Sequence, residues 1–194
     1  MSIISKSKLS EYRNSTRYYS KTINESLKEF KAESRYSKVT IFLSHKHDET
    51  EELDSAISFL KRFGVEVYVD WLDDGMPRTT NGITANGIKQ KIKENRKFIF
   101  LATEGAVSSK WCNWELGFGD GEKYKSDEIA LFPLREDSKA WKGSEYMQIY
   151  PTIEYEDGTS KNNAGAYIAK GYYVFQPSVN GSRSYKSLKS WLTK

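Results

Sequence analysis

One carboxylate stands among aromatic residues in the segment Ser108-Ser109-Lys110-Trp111-Cys112-Asn113-Trp114-Glu115-Leu116. At about 3.6 residues per turn, a helix over this segment places Glu115 on one face with three rings, those of Trp111, Trp114 and Phe118. A carboxylate on an apolar face costs free energy unless it is paired or has a function. Two interpretations follow: Glu115 is ion-paired or angled to solvent, or it does chemistry in a cleft.

Polar residues also follow the other predicted strands. Ser44-His45-Lys46-His47-Asp48 comes after the first strand and Trp71-Leu72-Asp73-Asp74 after the second, while the Glu115 segment follows the third. In open α/β sheets, ligands bind beyond the carboxyl ends of the strands. These three segments are therefore expected to converge on one cleft.

Other kinds of chemistry have less support in the sequence. His45 and His47, with Asp48, resemble a metal clip, but the chain has 2 histidines in all, so we predict no metal site. Cys112 has no partner base nearby in sequence and points about 100° away from Trp111 around the helix, which favours a packing role. No serine-protease-like triad is present, and one carboxylate remains as the candidate catalytic group.

The elements that position these residues alternate between strand and helix from residue 38 onward. The predicted strands cover 39–43, 65–69, 97–102, 129–134 and 171–175, and an extended segment covers 146–155. The first predicted helix ends at Gly64, and the second contains Ala85, Ile88 and Ile92. The third is capped by Ser108 or Ser109 and ends in the glycines of 117–121. A short fourth helix is predicted over 185–192. Repeated βα units predict a flavodoxin-like α/β fold, a parallel sheet with helices on both faces.

The first 37 residues differ from the rest of the chain. They are rich in Ser, Lys, Arg and Glu, and their apolar residues recur at helical spacing at Tyr12, Tyr19, Ile23, Leu27 and Phe30. This stripe predicts a long amphipathic helix that either docks on its own domain or provides a self-association surface. We therefore divide the chain into an N-terminal helical extension, 1–37, and a domain, 38–194, with its motifs in 38–136 and a variable part in 137–194.

Composition limits the cellular setting. Hydrophobic residues make up 38% and aromatic residues 14% of the 194 residues, which is typical of a globular protein. The net charge of +4 is spread along the chain, so nucleic-acid binding is not expected. The single cysteine excludes an internal disulfide and fits a reducing compartment. With no signal peptide and no run of about 18 apolar residues, we expect a cytoplasmic protein that does not bind membranes.

Three boxes resemble those of Toll/interleukin-1 receptor (TIR) domains. The segment from Phe42 to Thr50 resembles the first box, and Ser109-x-Trp111-Cys112-x-x-Glu115-Leu116 is similar to the strongest motif of that family. The loop from Asp73 to Thr80 occupies the place of the BB loop, although it departs from the common Arg-Asp-x-x-Pro-Gly order. The resemblance covers about 38–136, and among short bacterial TIR proteins it extends to the NAD-cleaving TIR subunit of Thoeris-type anti-phage systems.

This resemblance implies that the protein cleaves NAD as its substrate and needs no cofactor. Glu115 matches the glutamate that acts at the bond between ribose and nicotinamide, and Trp111 matches an aromatic residue that stacks on the bound ring system. The resemblance also implies that residues after the first strand contact the ribose and phosphates. The substrate-binding candidates are Ser44, His45, Lys46 and Trp111, with Trp71 and Asp73 after the second strand. Trp71 lies either at the base of the cleft or in the hydrophobic core.

The implied products are nicotinamide and a linear or cyclic ADP-ribose that signals to a separate effector protein, and self-association through TIR surfaces is implied as well. One alternative is a TIR interaction module without catalysis. A weaker alternative is another N-glycosidase, such as a nucleoside deoxyribosyltransferase. Glu115 together with Trp111 four residues earlier favours the NAD-cleaving enzyme, because a pure adaptor has no reason to hold this pair together.

Overall fold

This computed structural model describes residues 2–13, 39–70, 81–178 and 183–193 of the chain, and within them one sheet is flanked by helices. The strands are β1 (Ile4–Ser5), β2 (Thr40–Ser44), β3 (Glu66–Tyr68), β4 (Lys97–Ala102), β5 (Ile129–Arg135), β6 (Thr152–Glu156), β7 (Gly171–Phe175) and β8 (Tyr185–Ser187). The helices are α1 (Lys6–Ser10), α2 (Thr50–Lys61), α3 (Gly82–Glu94), α4 (Glu104–Ser108), α5 (Lys110–Lys123) and α6 (Leu188–Thr193), with a 3-10 turn at Glu145–Ile149.

The sheet is parallel through its centre and antiparallel at one end. Its strand order is β3-β2-β4-β5-β6-β7-β8, and β1 pairs with β5 beyond the point where β6 does. Neighbours from β3 to β6 run parallel, whereas β6 with β7 and β7 with β8 run antiparallel. The predicted α/β class with a parallel sheet is confirmed. The alternation of strands and helices in the sequence did not predict the antiparallel pairing of β7 with β6 and β8.

Helices cover both faces of this sheet, as predicted. One face packs against Leu53 of α2, Leu9 of α1 and Trp191 of α6, and the other packs against Ile88 of α3 and Leu116 of α5. All six residues of β4 are buried, because successive side chains of a central strand enter the two cores in turn. This double burial explains why the strand is a nearly continuous apolar run in the sequence.

The prediction that the helix carrying Glu115 ends in its glycines was wrong, since α5 continues to Lys123. A β-carbon at Gly119 would lie 2.9 Å from a ring carbon of Phe98, so this glycine allows α5 to approach the sheet closely. The ammonium of Lys123 donates to the carbonyl oxygen of Asn95 at 2.7 Å and ties the end of α5 to the end of α3. These tertiary contacts outweigh the low helix propensity of glycine, roughly 1 kcal/mol per residue.

Gly119→Ala is expected to destabilise the protein by about 1–3 kcal/mol, because the added methyl group overlaps the Phe98 ring. Gly117→Ala is the matched control on the same helix, where no described atom lies within 4 Å of the added carbon. The control should stabilise the protein by about 0.5–1 kcal/mol through helix propensity. Urea denaturation of both variants measures the difference, and equal stabilities would contradict the close-approach role of Gly119.

The N-terminal segment differs from the single long helix predicted over 1–37. Ile4–Ser5 forms a strand, β1, parallel to Leu134–Arg135, and Ser2 bridges to Tyr155. The following helix, α1, ends at Ser10 and packs against α2. The prediction of helix was therefore wrong for the strand residues, because pairing with a distant strand overrode local periodicity. The rest of the predicted stripe, with Tyr19, Ile23, Leu27 and Phe30, lies outside the described residues.

Two smaller predictions near the C-terminus also need correction. The segment 146–155, predicted to be extended, begins with the 3-10 turn Glu145–Ile149 before β6. The predicted helix over 185–192 begins with the strand β8 and is helical from Leu188. Among the described residues, none of the helices is long and apolar enough to cross a membrane.

Candidate active site

Glu115 lies at the carboxyl end of the parallel strands, where α5 passes β2. The hydroxyl of Ser109 caps α5 by accepting the backbone N–H of Cys112 at 3.3 Å, which agrees with one of the two predicted caps. Two turns of helix bring Glu115 against Ser44, the last residue of β2, whose hydroxyl donates to Oε2 at 2.5 Å. With Glu115 at 2% exposure, the structure brings these two predicted site residues together in a buried contact.

The electrostatic environment that the protein provides for Glu115 opposes ionisation of its carboxyl group. Burial raises the pKa of Glu115 well above its ordinary value of 4.5, and the negative charge of Asp70 raises it further. The Ser44 hydroxyl and the Trp111 indole N–H act in the opposite direction. The buried Trp111 Nε1 makes no hydrogen bond of good geometry within the described chain, so we attribute its influence to proximity. A positive charge bound here would strongly favour the carboxylate form.

The aromatic residues of α5 are less buried than the carboxylate among them. The rings of Trp111 and Trp114 lie 5.1 Å apart at 36°, and the ring of Phe118 continues the row at 6.4 Å from Trp114. All three are half-buried, whereas Cys112, Glu115, Leu116 and Gly119 form the buried side of α5. Glu115 thus points toward the sheet, and Trp111 flanks it at the first turn of the helix.

Asp70 is a buried acid of this site that the sequence reasoning missed. It follows β3, is 4% exposed, and its Oδ2 lies 3.2 Å from Nε2 of His47. Its Oδ1 lies 4.0 Å from Nδ1 of His45. Asp70 raises the pKa of His47, while burial lowers the pKa of His45 to about 4 and keeps that ring neutral. The sequence contained a signal for this residue, because Asp70 lies directly between the second predicted strand, 65–69, and Trp71.

The other predicted substrate contacts lie at different depths. The side chain of His45, which directly follows β2, is buried, and its Nδ1 lies 3.2 Å from the carbonyl oxygen of Leu43. Lys46 is nearer the surface, with its ammonium 2.6 Å from both carboxylate oxygens of Asp48. Trp71 and Asp73 lie outside the described residues.

Cys112 has the surroundings of a packing residue. Its thiol is buried and donates to the backbone carbonyl of His45 at 3.2 Å. Burial raises the pKa of this thiol to about 12, so the nucleophilic thiolate is scarce at neutral pH. The local chemistry therefore points to the carboxylate of Glu115 and away from the neighbouring sulfur.

Comparison with known proteins agrees with this arrangement. A probable 3' cyclic ADP-D-ribose synthase, ThsB', of Bacillus cereus (strain MSX-D12) is 27% identical over 161 residues, which cover 78% of this chain and 74% of the relative. A putative cyclic ADP-D-ribose synthase, TIR2, of Cytobacillus dafuensis is 21% identical over 81 residues, covering 40% of this chain and 21% of that protein. A family model described as TIR domain matches residues 41–166, more than half of the chain. With its parallel sheet and the motif that carries Glu115 within the matched segment, this chain belongs to the TIR domain family.

Proposed function

We propose that this protein cleaves NAD at the bond between nicotinamide and ribose. The observation that carries the proposal is the buried carboxylate of Glu115, held by Ser44 at the carboxyl edge of the parallel sheet. Its support from relatives is that two similar proteins are named as a probable and a putative cyclic ADP-D-ribose synthase. Formation of cyclic ADP-ribose from NAD requires loss of nicotinamide, which is the cleavage proposed here.

A single carboxylate is sufficient to cleave this bond, and no second residue is needed as a general acid to protonate the leaving group. The ring nitrogen of nicotinamide is cationic in NAD, so the electron pair of the breaking bond neutralises it and no proton has to be supplied. The ribose carbon then carries an oxocarbenium-like positive charge, as in glycoside hydrolysis. Attack by water, with loss of one proton, gives ADP-ribose, whereas attack by a nucleophile within the same molecule gives a cyclic product.

Each residue of the site has a proposed role in this reaction. Glu115 stabilises the oxocarbenium charge or holds the ribose hydroxyls, and Ser44 fixes its orientation through Oε2. Trp111 stacks on the bound ring system beside it. The residues proposed to contact the ribose and phosphates are Ser44, His45 and Lys46, and Trp71 and Asp73 are further candidates for substrate binding.

Substrate binding itself favours the active form of Glu115. Burial and Asp70 raise the pKa of the carboxyl group, but the cationic nicotinamide ring opposes both effects when it enters. The attraction between the carboxylate and the developing ribose cation takes place away from water, where it is stronger than in solution. Burial of Glu115 therefore serves catalysis although it costs free energy of folding.

The proposal extends to what happens to the product. We propose that an ADP-ribose product, linear or cyclic, signals to a separate effector protein in anti-phage immunity and that TIR surfaces self-associate during catalysis. The support for the cyclic form is that both relatives are named as cyclic ADP-D-ribose synthases. The support for the signalling role is the resemblance of the three sequence boxes to bacterial TIR proteins.

Purified protein incubated with NAD tests the reaction directly. Nicotinamide release is followed over a protein concentration series, with and without forced self-association, and mass spectrometry identifies the ribose-containing product. Nicotinamide release with one ADP-ribose product is the expected result. A protein that releases none under every condition would be an interaction module, and cleavage of nucleosides that lack a pyrophosphate would indicate a different N-glycosidase.

The pH dependence of kcat/KM should report the raised pKa of Glu115. Because the ionised form is needed, kcat/KM is expected to rise with pH through an apparent pKa above 4.5, the ordinary value. In Asp70→Asn the repulsion between the two acids is gone, so the rising limb should move to lower pH. Assays in EDTA-containing buffers measure both profiles, and an unmoved limb would contradict the influence of Asp70. His47→Gln is the companion control, since His47 contacts Asp70 and has a raised pKa of its own.

Trp111→Ala is expected to raise KM and lower NAD turnover by about tenfold, because stacking is worth on the order of 1 kcal/mol beyond the buried area. Trp111→Phe keeps a stacking face and should be milder. Trp114→Ala is the matched control, since it removes the adjacent ring of the same aromatic row. Steady-state kinetics on the three variants gives the comparison. If Trp111→Ala retains wild-type kinetics, Trp111 has only a packing role.

A further inference from the structure

The side chains of His45, His47 and Asp70 form a cluster of metal-binding donor atoms beside the Glu115 site. One nitrogen of each imidazole and one carboxylate oxygen of Asp70 lie within 4.8 Å of one another. Two imidazoles and a carboxylate are a ligand set that zinc and related divalent ions take up in proteins. We propose that His45, His47 and Asp70 bind a divalent transition-metal ion of the zinc class at the mouth of the Glu115 site.

The distances are close to those that such an ion requires. Ligand atoms around a tetrahedral zinc ion, each about 2.0–2.1 Å from the metal, lie about 3.3 Å from one another. Nε2 of His47 and Oδ2 of Asp70 are already 3.2 Å apart. One nitrogen of His45 completes the set, and the three ligand atoms all lie within 4.8 Å of one another, so side-chain rotation can bring them onto one ion.

The surroundings combine a rigid base with an open side. The side chains of His45 and Asp70 are 1% and 6% exposed, which holds two ligands in place in the fold. His47 is 49% exposed, so an ion and a fourth ligand such as water reach the cluster from its side. The Nδ1–H of His45 donates to the carbonyl oxygen of Leu43 at 3.2 Å, which orients the ring as backbone carbonyls commonly do for metal-bound histidines, so Nε2 is the nitrogen proposed to bind the ion.

The sequence analysis predicted no metal site because the chain has 2 histidines, and the third residue that it considered with them was Asp48. Asp48 follows the two histidines directly, but its carboxylate is held by Lys46 at 2.6 Å. The structure replaces Asp48 by Asp70, which follows the neighbouring strand β3. A two-histidine pattern thus becomes a three-ligand cluster only when β2 and β3 are adjacent in the sheet.

Metal titration of the untagged, chelator-treated full chain tests this site. Calorimetry with Zn²⁺ should give one equivalent, and Co²⁺ should give the visible absorption of a four-coordinate site. His47→Gln and Asp70→Asn should each weaken binding at least about tenfold, whereas Asp48→Asn should bind as the wild type does. His47→Gln keeps the test decisive if Asp70→Asn is poorly folded, because His47 is half-exposed.

Proton NMR gives a second readout that does not depend on activity. The chain contains 2 histidines, so both sets of imidazole signals can be followed during Zn²⁺ addition. Both should change together and be complete at one equivalent. Perturbation of His47 alone, absence of the Co²⁺ absorption, or equal affinity in wild type and His47→Gln would each overturn the three-ligand site.

Discussion

Replacement of Glu115 by glutamine is expected to lower NAD cleavage by about 10²-fold or more while the protein stays folded. The amide keeps the shape of the side chain and loses the negative charge that stabilises the ribose oxocarbenium ion, and removing one preorganised electrostatic group has effects of about this size. Nicotinamide release under saturating NAD measures the change in kcat. Wild-type turnover in folded Glu115→Gln protein would refute the catalytic role of Glu115.

The stability of the same variant provides an internal control. Burial raises the pKa of Glu115, so the fold already disfavours its charged form, and a neutral amide suits the site at least as well. The hydroxyl of Ser44 can donate to the amide oxygen as it does to Oε2. Thermal unfolding should therefore show an unchanged or higher Tm.

Glu122→Gln is the matched substitution on the same helix. Glu122 is exposed on α5 and forms a loose ion pair with Lys93 at 3.7 Å. The same chemical change at this position should leave NAD turnover at the wild-type level. A comparable loss of activity in Glu122→Gln would mean that charge on α5 in general, and not the buried carboxylate, controls turnover.

The elements of the sheet centre could be predicted because they depend on local pattern. The strand Lys97–Ala102 is as predicted, since a strand buried on both faces is apolar throughout its length. The contact of Ser44 with Glu115 also agrees with expectation, because both residues follow parallel strands at the same edge of the sheet. The strand Gly171–Phe175 was predicted, but its antiparallel direction depends on its pairing with β6.

The remaining features depend on contacts between residues distant in sequence. Gly119 is a helix breaker by propensity, and only the Phe98 ring beneath it explains a glycine within a continuous helix. Asp70 was missed because the polar segment predicted after the second strand, Trp71 to Asp74, began one residue too late. Ile4 forms a strand because it pairs with Leu134, near the C-terminal end of β5. The spacing of apolar residues around Ile4 cannot reveal a partner so distant in sequence.

The N-terminal residues are expected to matter for the free energy of unfolding more than for the chemistry of the site. Ile4 is 3% and Leu9 is 1% exposed, and both belong to the core on the α2 face of the sheet. The helix α5, with Leu116 beside Glu115, packs on the opposite face. Shortening these N-terminal side chains therefore leaves a cavity on the face of the sheet opposite α5.

Leu9→Ala should lower the free energy of unfolding by about 2–5 kcal/mol, because a fully buried leucine loses its transfer free energy and leaves a cavity. Ile83→Ala is the control, since Ile83 is 72% exposed and its truncation should change stability by less than about 0.5 kcal/mol. Urea denaturation measures both, and NAD turnover well below the Tm should stay near the wild-type rate in each. If Leu9→Ala is as stable as the control, residues 2–13 are an appendage and not part of the core. If stability holds but turnover falls, the self-association surface predicted from the sequence becomes the better explanation, because assembly can then control the site without supporting the fold.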